Sequence, residues 1–175
     1  STPDQGKQVI GETVGRDSTS FTDTGLKSGV TYTYTVTAIN DYGESTYSAN
    51  SLSSKFVAKP TIEYVKNVDG GVEVRWNACE GAVNYYIMRR LVGETKWEKV
   101  AIRGANLDTY YKDKSVVDGC EYEYDINSAT DFFESVSSSE GEKITYVTTP
   151  SFLSVLNKEN GIELKWSAHS KATGY

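Results

Sequence analysis

The stretch Trp76-Asn77-Ala78-Cys79-Glu80-Gly81-Ala82-Val83-Asn84-Tyr85-Tyr86-Ile87-Met88-Arg89 decides the fold of this chain. Its second half alternates with period two, so Tyr85 and Ile87 share one face, the pattern of a half-buried strand. Upstream, Gly71-Val72-Glu73-Val74-Arg75-Trp76 alternates likewise and places Val72, Val74 and Trp76 on one face. The small residues Ala78 and Ala82 suit a tightly turned connection between these two strands. A tryptophan at the end of the first strand fills the space between sheets and buries a large area.

The stretch returns at a fixed offset of 90 residues. Trp76 recurs as Trp166, Pro60 as Pro150, Gly71 as Gly161, Ala82 as Ala172 and Tyr85 as Tyr175. Upstream, Asp23 recurs as Asp113, Gly29 as Gly119, Tyr32 and Tyr34 as Tyr122 and Tyr124, and Glu44-Ser45 as Glu134-Ser135. An ungapped echo of this kind marks copies of one unit. A unit of about 90 residues can bury a core of its own, unlike short repeats that must stack. Residues 58–147 form one complete unit, 1–57 the later-strand half of another, and 148–175 the early-strand half of a further one. The two halves together supply every position of a unit except the equivalents of Tyr86–Arg90.

Within the complete unit, alternation and turn residues predict strands over Thr61–Val65, 71–76, 85–89, Lys96–Ile102, Glu121–Ser128 and Lys143–Val147. Asn67-Val68-Asp69-Gly70-Gly71 reads as a turn. Val100 and Ile102 are expected to face inward and Trp97, of opposite parity, outward. Tyr122, Tyr124 and Ile126 fall on one face. Short strands at turn-punctuated spacing, seven to the unit, with no sustained 3.6 period, read as an all-β sandwich.

The 76–89 stretch resembles the second-to-third-strand motif of fibronectin type III domains, W-x-A-x-x-G-A-x-x-Y-x-[VI]-x-R. Leu26-Lys27-Ser28-Gly29-Val30-Thr31-Tyr32-Thr33-Tyr34-Thr35-Val36 and its copy at Val116–Ile126 resemble that family's tyrosine corner. The resemblance covers nearly the whole chain. It implies tandem seven-stranded immunoglobulin-like (fibronectin type III) β-sandwiches, with Trp76, Trp166, Tyr85, Ile87, Tyr32 and Tyr122 as core residues. The hydroxyls of Tyr32 and Tyr122 are expected to return to the backbone upstream. The wording of the motifs is similar to repeats of Firmicute-type surface proteins and secreted carbohydrate-active enzymes. It implies an extracellular or cell-surface spacer whose partners are neighbouring modules. A second copy of the chain, its halves joining by strand complementation into a filament, is the alternative partner.

Nothing in the residues points to catalysis. The net charge of -6 is spread without blocks, which lacks the clustered basic face of a nucleic-acid binder. No apolar run approaches the roughly 18 residues of a membrane span. The single histidine, His169, stands where the other copy has Cys79, and one such residue makes neither a triad nor a zinc site, so no metal or cofactor is expected. Cys79 and Cys120 belong to loops at opposite ends of a sandwich, too far apart for a disulfide. The resemblance to fibronectin type III arrays, however, implies that the end carrying the loop of Cys120 faces the next unit's end carrying the loop of His169, so that the two could meet at a junction and hold a transient metal. The recurring carboxylates Asp23, Asp113, Glu73 and Glu163 suggest turn and surface roles. The candidate ligand contacts are aromatic: Trp97, Phe132-Phe133 in the last hairpin, and Tyr42 in its first copy. They would stack on a polysaccharide or meet a protein. Packing against a long basic stem or a neighbouring unit is the alternative.

Overall fold

A computed structural model describes residues 6–137 and 140–175, so residues 1–5 of the first half-unit lie outside it. Every regular element among the described residues is a strand. No helix there is long and apolar enough to cross a membrane. The first half-unit contributes β1 (Thr31–Tyr34), β2 (Ile39–Asn40), β3 (Gly43–Glu44) and β4 (Leu52–Lys55). The complete unit contributes β5 (Ile62–Val68), β6 (Gly71–Trp76), β7 (Asn84–Leu91), β8 (Glu98–Gly104), β9 (Tyr110–Asp113), β10 (Glu121–Ala129) and β11 (Glu142–Thr145). The last segment contributes β12 (Phe152–Lys158) and β13 (Gly161–Trp166).

In the complete unit, β5-β6-β9 form one antiparallel sheet and β11-β10-β7-β8 the other. This three-on-four order is that of an immunoglobulin-like sandwich with fibronectin type III connectivity. Val72, Val74 and Trp76 project from the first sheet onto Tyr85, Ile87, Tyr122, Tyr124 and Ile126 of the second. The Trp76 and Tyr85 rings meet edge-on at 5.6 Å between centroids. At roughly 25 cal/mol per Å² and 150–250 Å² per ring, each buried aromatic contributes at most about 4–6 kcal/mol. The turn between β5 and β6 is shorter than the sequence suggests. Asn67 and Val68 continue the strand, and Asp69-Gly70 alone turns the chain, with Gly70 at φ 66°.

Two further expectations need correction. Ile102 is 60% exposed, although alternation from Val100 places it inward. A β-bulge lies opposite Ile87 and Met88, where Ala101 pairs with Ile87 but Lys99 with Met88. Val100 and Ala101 both pack on the core, and the parity beyond them inverts. The strand β9, which pairs along β6 from Val72 to Arg75, was not located from alternation, being only four residues long.

The half-units repeat the complete unit's geometry. β1 pairs β4 in the register of β10 with β11, and β12 pairs β13 in the register of β5 with β6, including the irregularity at Phe152/Ser154 that mirrors Ile62/Tyr64. Residues 8–14 and 20–23, the equivalents of β8 and β9, form no strand, because the strands they would pair with have no counterpart in that segment. The inner faces stay open: Trp166 is 40% exposed against 1% for Trp76. Where β5 runs beside β11, the Asn67 side chain donates to the Thr145 carbonyl at 2.9 Å and accepts the Val147 N–H at 3.4 Å.

Candidate functional site

The tyrosine corner is present twice. The hydroxyl oxygen of Tyr122 accepts the Val117 N–H at 2.9 Å, and that of Tyr32 accepts the Lys27 N–H at the same distance. Beside each corner a second tyrosine donates to a carboxylate, Tyr124 to Asp113 at 2.8 Å and Tyr34 to Asp23 at 3.0 Å. Asp113 has no solvent exposure, which overturns its expected surface role. Its partners also include the Ser115 hydroxyl at 2.7 Å, the Ser115 N–H at 2.9 Å and Arg89 at 2.6 Å. Burial pushes the Asp113 carboxyl up, but the Ser115 and Tyr124 hydrogen bonds and the Arg89 charge outweigh it and hold it below the usual range. The same burial, with the Asp113 charge, drives the Tyr124 phenol far upward, so it stays a donor. Every lone pair this group needs to satisfy is used internally, and the arrangement locks the core rather than presenting a reactive face.

The predicted ligand aromatics divide. Trp97 faces outward but is engaged: the Arg90 guanidinium lies 4.3 Å from its ring centre, and a Cβ at Gly141 would meet its Cη2 at 2.6 Å. Phe132 and Phe133 sit on the hairpin between β10 and β11, 87% and 58% exposed. Thr130 Oγ1 accepts both of their N–H groups, at 3.3 and 3.1 Å. In the first half-unit Asn40 Oδ1 accepts the Tyr42 N–H at 2.9 Å, and Tyr42 is 98% exposed. A side-chain-to-backbone turn thus presents an aromatic at the same place in both copies.

A cavity of about 510 Å³ has Phe152, Leu164, Trp166 and Tyr175 among its lining residues. At the 90-residue offset Val74, Trp76 and Tyr85 are core residues of the complete unit and Ile62 packs against them, so this cavity is an open core. Both cysteines are free and pack against the core of the complete unit. No three His, Cys, Asp or Glu side chains converge as a metal set among the described residues.

The ends of the units hold what sequence reading missed. Ser28 Oγ accepts the Ala58 N–H at 2.9 Å and donates to the Glu80 carbonyl at 2.7 Å. One repeat later, Asp118 Oδ1 accepts the Thr148 N–H at 2.8 Å and meets His169 Nε2 at 2.6 Å. The His169 side chain is 9% exposed. The Thr148 N–H and then His169 hold the Asp118 carboxyl below the usual range. The junction loop does meet the loop of His169, as expected, but through Asp118 and not through Cys120. No signal in the sequence marks these positions, since Ser28 and Asp118 differ in type.

The architecture defines an all-β protein built on the immunoglobulin-like sandwich, with a repeated end-to-end contact. No family model matches the chain. It is similar to a crystal structure of domains A168–A170 from titin, at 18% identity and a TM-score of 0.45, over 66% of this chain and 40% of that one. The chain thus matches less than half the length of that relative.

Proposed function

We propose that this chain is a non-catalytic spacer, a run of fibronectin type III-like modules in an extracellular or cell-surface protein, bacterial by the resemblance of its motifs. One observation carries the reading. The residues that recur at the 90-residue offset serve the core, the corners and the turns, and the units touch end to end by the same loops. A spacer needs units joined end to end in a repeated manner and no reactive site.

A second reading, a binding module for polysaccharide or protein, is favoured by Phe132 and Tyr42 standing exposed at equivalent hairpins. A glycan array and a protein pull-down with the 175-residue chain test the choice. No specific retention is expected; retention abolished by Phe132→Ala would transfer the assignment to the binding module.

A further inference from the structure

The two joints are one interface built twice with opposite hydrogen-bond polarity. We infer that repeat position 28/118 is a latch whose donor or acceptor character is matched to the loop of the following unit, so that each unit fits one kind of successor. The inference rests on the spacer reading and deepens it.

Both joints share a frame. The Gly29 N–H bonds the Phe56 carbonyl and the Gly119 N–H the Tyr146 carbonyl, each at 2.8 Å. In the following units, the Tyr85 hydroxyl accepts the Cys79 N–H at 2.8 Å and the Tyr175 hydroxyl the His169 N–H at 2.5 Å. Latch and receiving loop are therefore held in the same way in both places. In each, the latch oxygen also accepts the linker N–H, of Ala58 or Thr148.

What differs is the group presented to the latch. At the first joint it is a carbonyl oxygen, that of Glu80, and only a residue that can donate suits it. Serine donates there while its lone pair takes the linker N–H. At the second joint the group is the His169 imidazole. Its Nδ1 accepts the Lys171 N–H at 3.1 Å, which leaves the proton on Nε2, aimed at Asp118. An acceptor suits that position, and Asp118 Oδ1 takes both donors.

Spacing follows the same division. At the first joint Gly29 and Gly81 are in direct backbone contact: a Cβ on Gly81 would stand 2.5 Å from the Gly29 Cα. At the second joint the equivalent of Gly81 is Lys171, whose Cγ lies 3.9 Å from the Cβ position of Gly119. The close joint carries the short latch, and the wider joint carries the longer latch and a side chain to reach it.

The test uses the isotope-labelled 175-residue chain. It reads amide exchange at Ala58 and Thr148, and whether β1 and β4 tumble together with β5–β11, and β12 and β13 with them. Ser28→Ala should speed Ala58 exchange about tenfold and uncouple the first joint. Ser28→Asp should keep Ala58 protected within about twofold yet still uncouple it, because a carboxylate cannot donate to the Glu80 carbonyl. Asp118→Asn should leave the second joint coupled, its amide oxygen replacing Oδ1, whereas Asp118→Ser, too short to reach the ring, should release it. A Ser28→Asp chain that still tumbles as one body, or an Asp118→Asn chain that does not, overturns polarity matching. The urea midpoint of the complete unit serves as the folding control. If a Ser28 variant lowers it, the Asp118 pair decides alone. Free tumbling in the unaltered chain would sink the latch and leave a flexible spacer, while specific ligand retention would sink the spacer and leave the latch.

Discussion

Asp113 and Tyr124 meet carboxylate to hydroxyl at 2.8 Å inside the sandwich, and Asp23 and Tyr34 repeat the contact at 3.0 Å, 90 positions earlier. Removing one member exposes what the pair does. Tyr124→Phe should cost the complete unit about 1–2 kcal/mol, because Ser115 and Arg89 still satisfy the carboxylate. Asp113→Ala should cost about 3 kcal/mol or more, leaving the buried Tyr124 phenol without an acceptor and the half-buried Arg89 with only Glu98 as an acidic partner. Urea unfolding measures both. Equal losses from the two variants would contradict the network.

Acid should act through the same carboxylate. Its folded pKa lies below the unfolded value of about 3.9, so its stabilisation is complete above that value and lost as pH falls through the lower folded one. Melting temperature should therefore fall below about pH 4. Asp113→Asn should flatten part of that fall, leaving the share of Glu73 and Glu123, which are lowered in the same direction.

Tryptophans at equivalent positions should differ sharply in weight. Trp76→Ala should cost about 3–5 kcal/mol, since the ring is 1% exposed against Tyr85. Trp166→Ala should leave the urea midpoint of the complete unit within about 0.5 kcal/mol of its starting stability.

The bulge in β8 makes a counterintuitive prediction. Ile102→Lys should be tolerated within about 0.5 kcal/mol, because that side chain already faces solvent. Ala101→Lys should cost about 3 kcal/mol or more by forcing an unpaired charge toward the core. Thermal melts of the two variants distinguish the observed register from simple alternation.

These variants also mark what was legible. The core residues Trp76, Tyr85, Ile87 and Tyr122, and the corner bond of Tyr32, follow from alternation and from a repeated motif, both of which are local signals. Ile102 was misplaced because a bulge adds one residue without leaving a compositional trace. Asp113 was misread because burial of a charge depends on Arg89 and Tyr124 arriving from other strands, which spacing does not report. The exposed aromatics Phe132, Phe133 and Tyr42 were found from their turns, and Trp97 was found outside but stacked on Arg90. The joint residues Ser28 and Asp118 were invisible, because what is preserved between them is a geometry and not a residue type.

Asn67 gives the complete unit a mechanical clamp. Tension applied to the two ends of the unit would enter through β5 and leave through β11, and the amide side chain bridging to Thr145 and Val147 lies across that seam. Pulling on the two ends loads those bonds in shear, together, before either sheet has to unzip. Asn67→Ala should lower the rupture force of the unit in single-molecule stretching far more than it lowers the urea midpoint, where its loss is about 1–2 kcal/mol. A matching drop in both would mean that the load is borne elsewhere. On this geometry one amide would set how much pull a module withstands while contributing little to whether it folds.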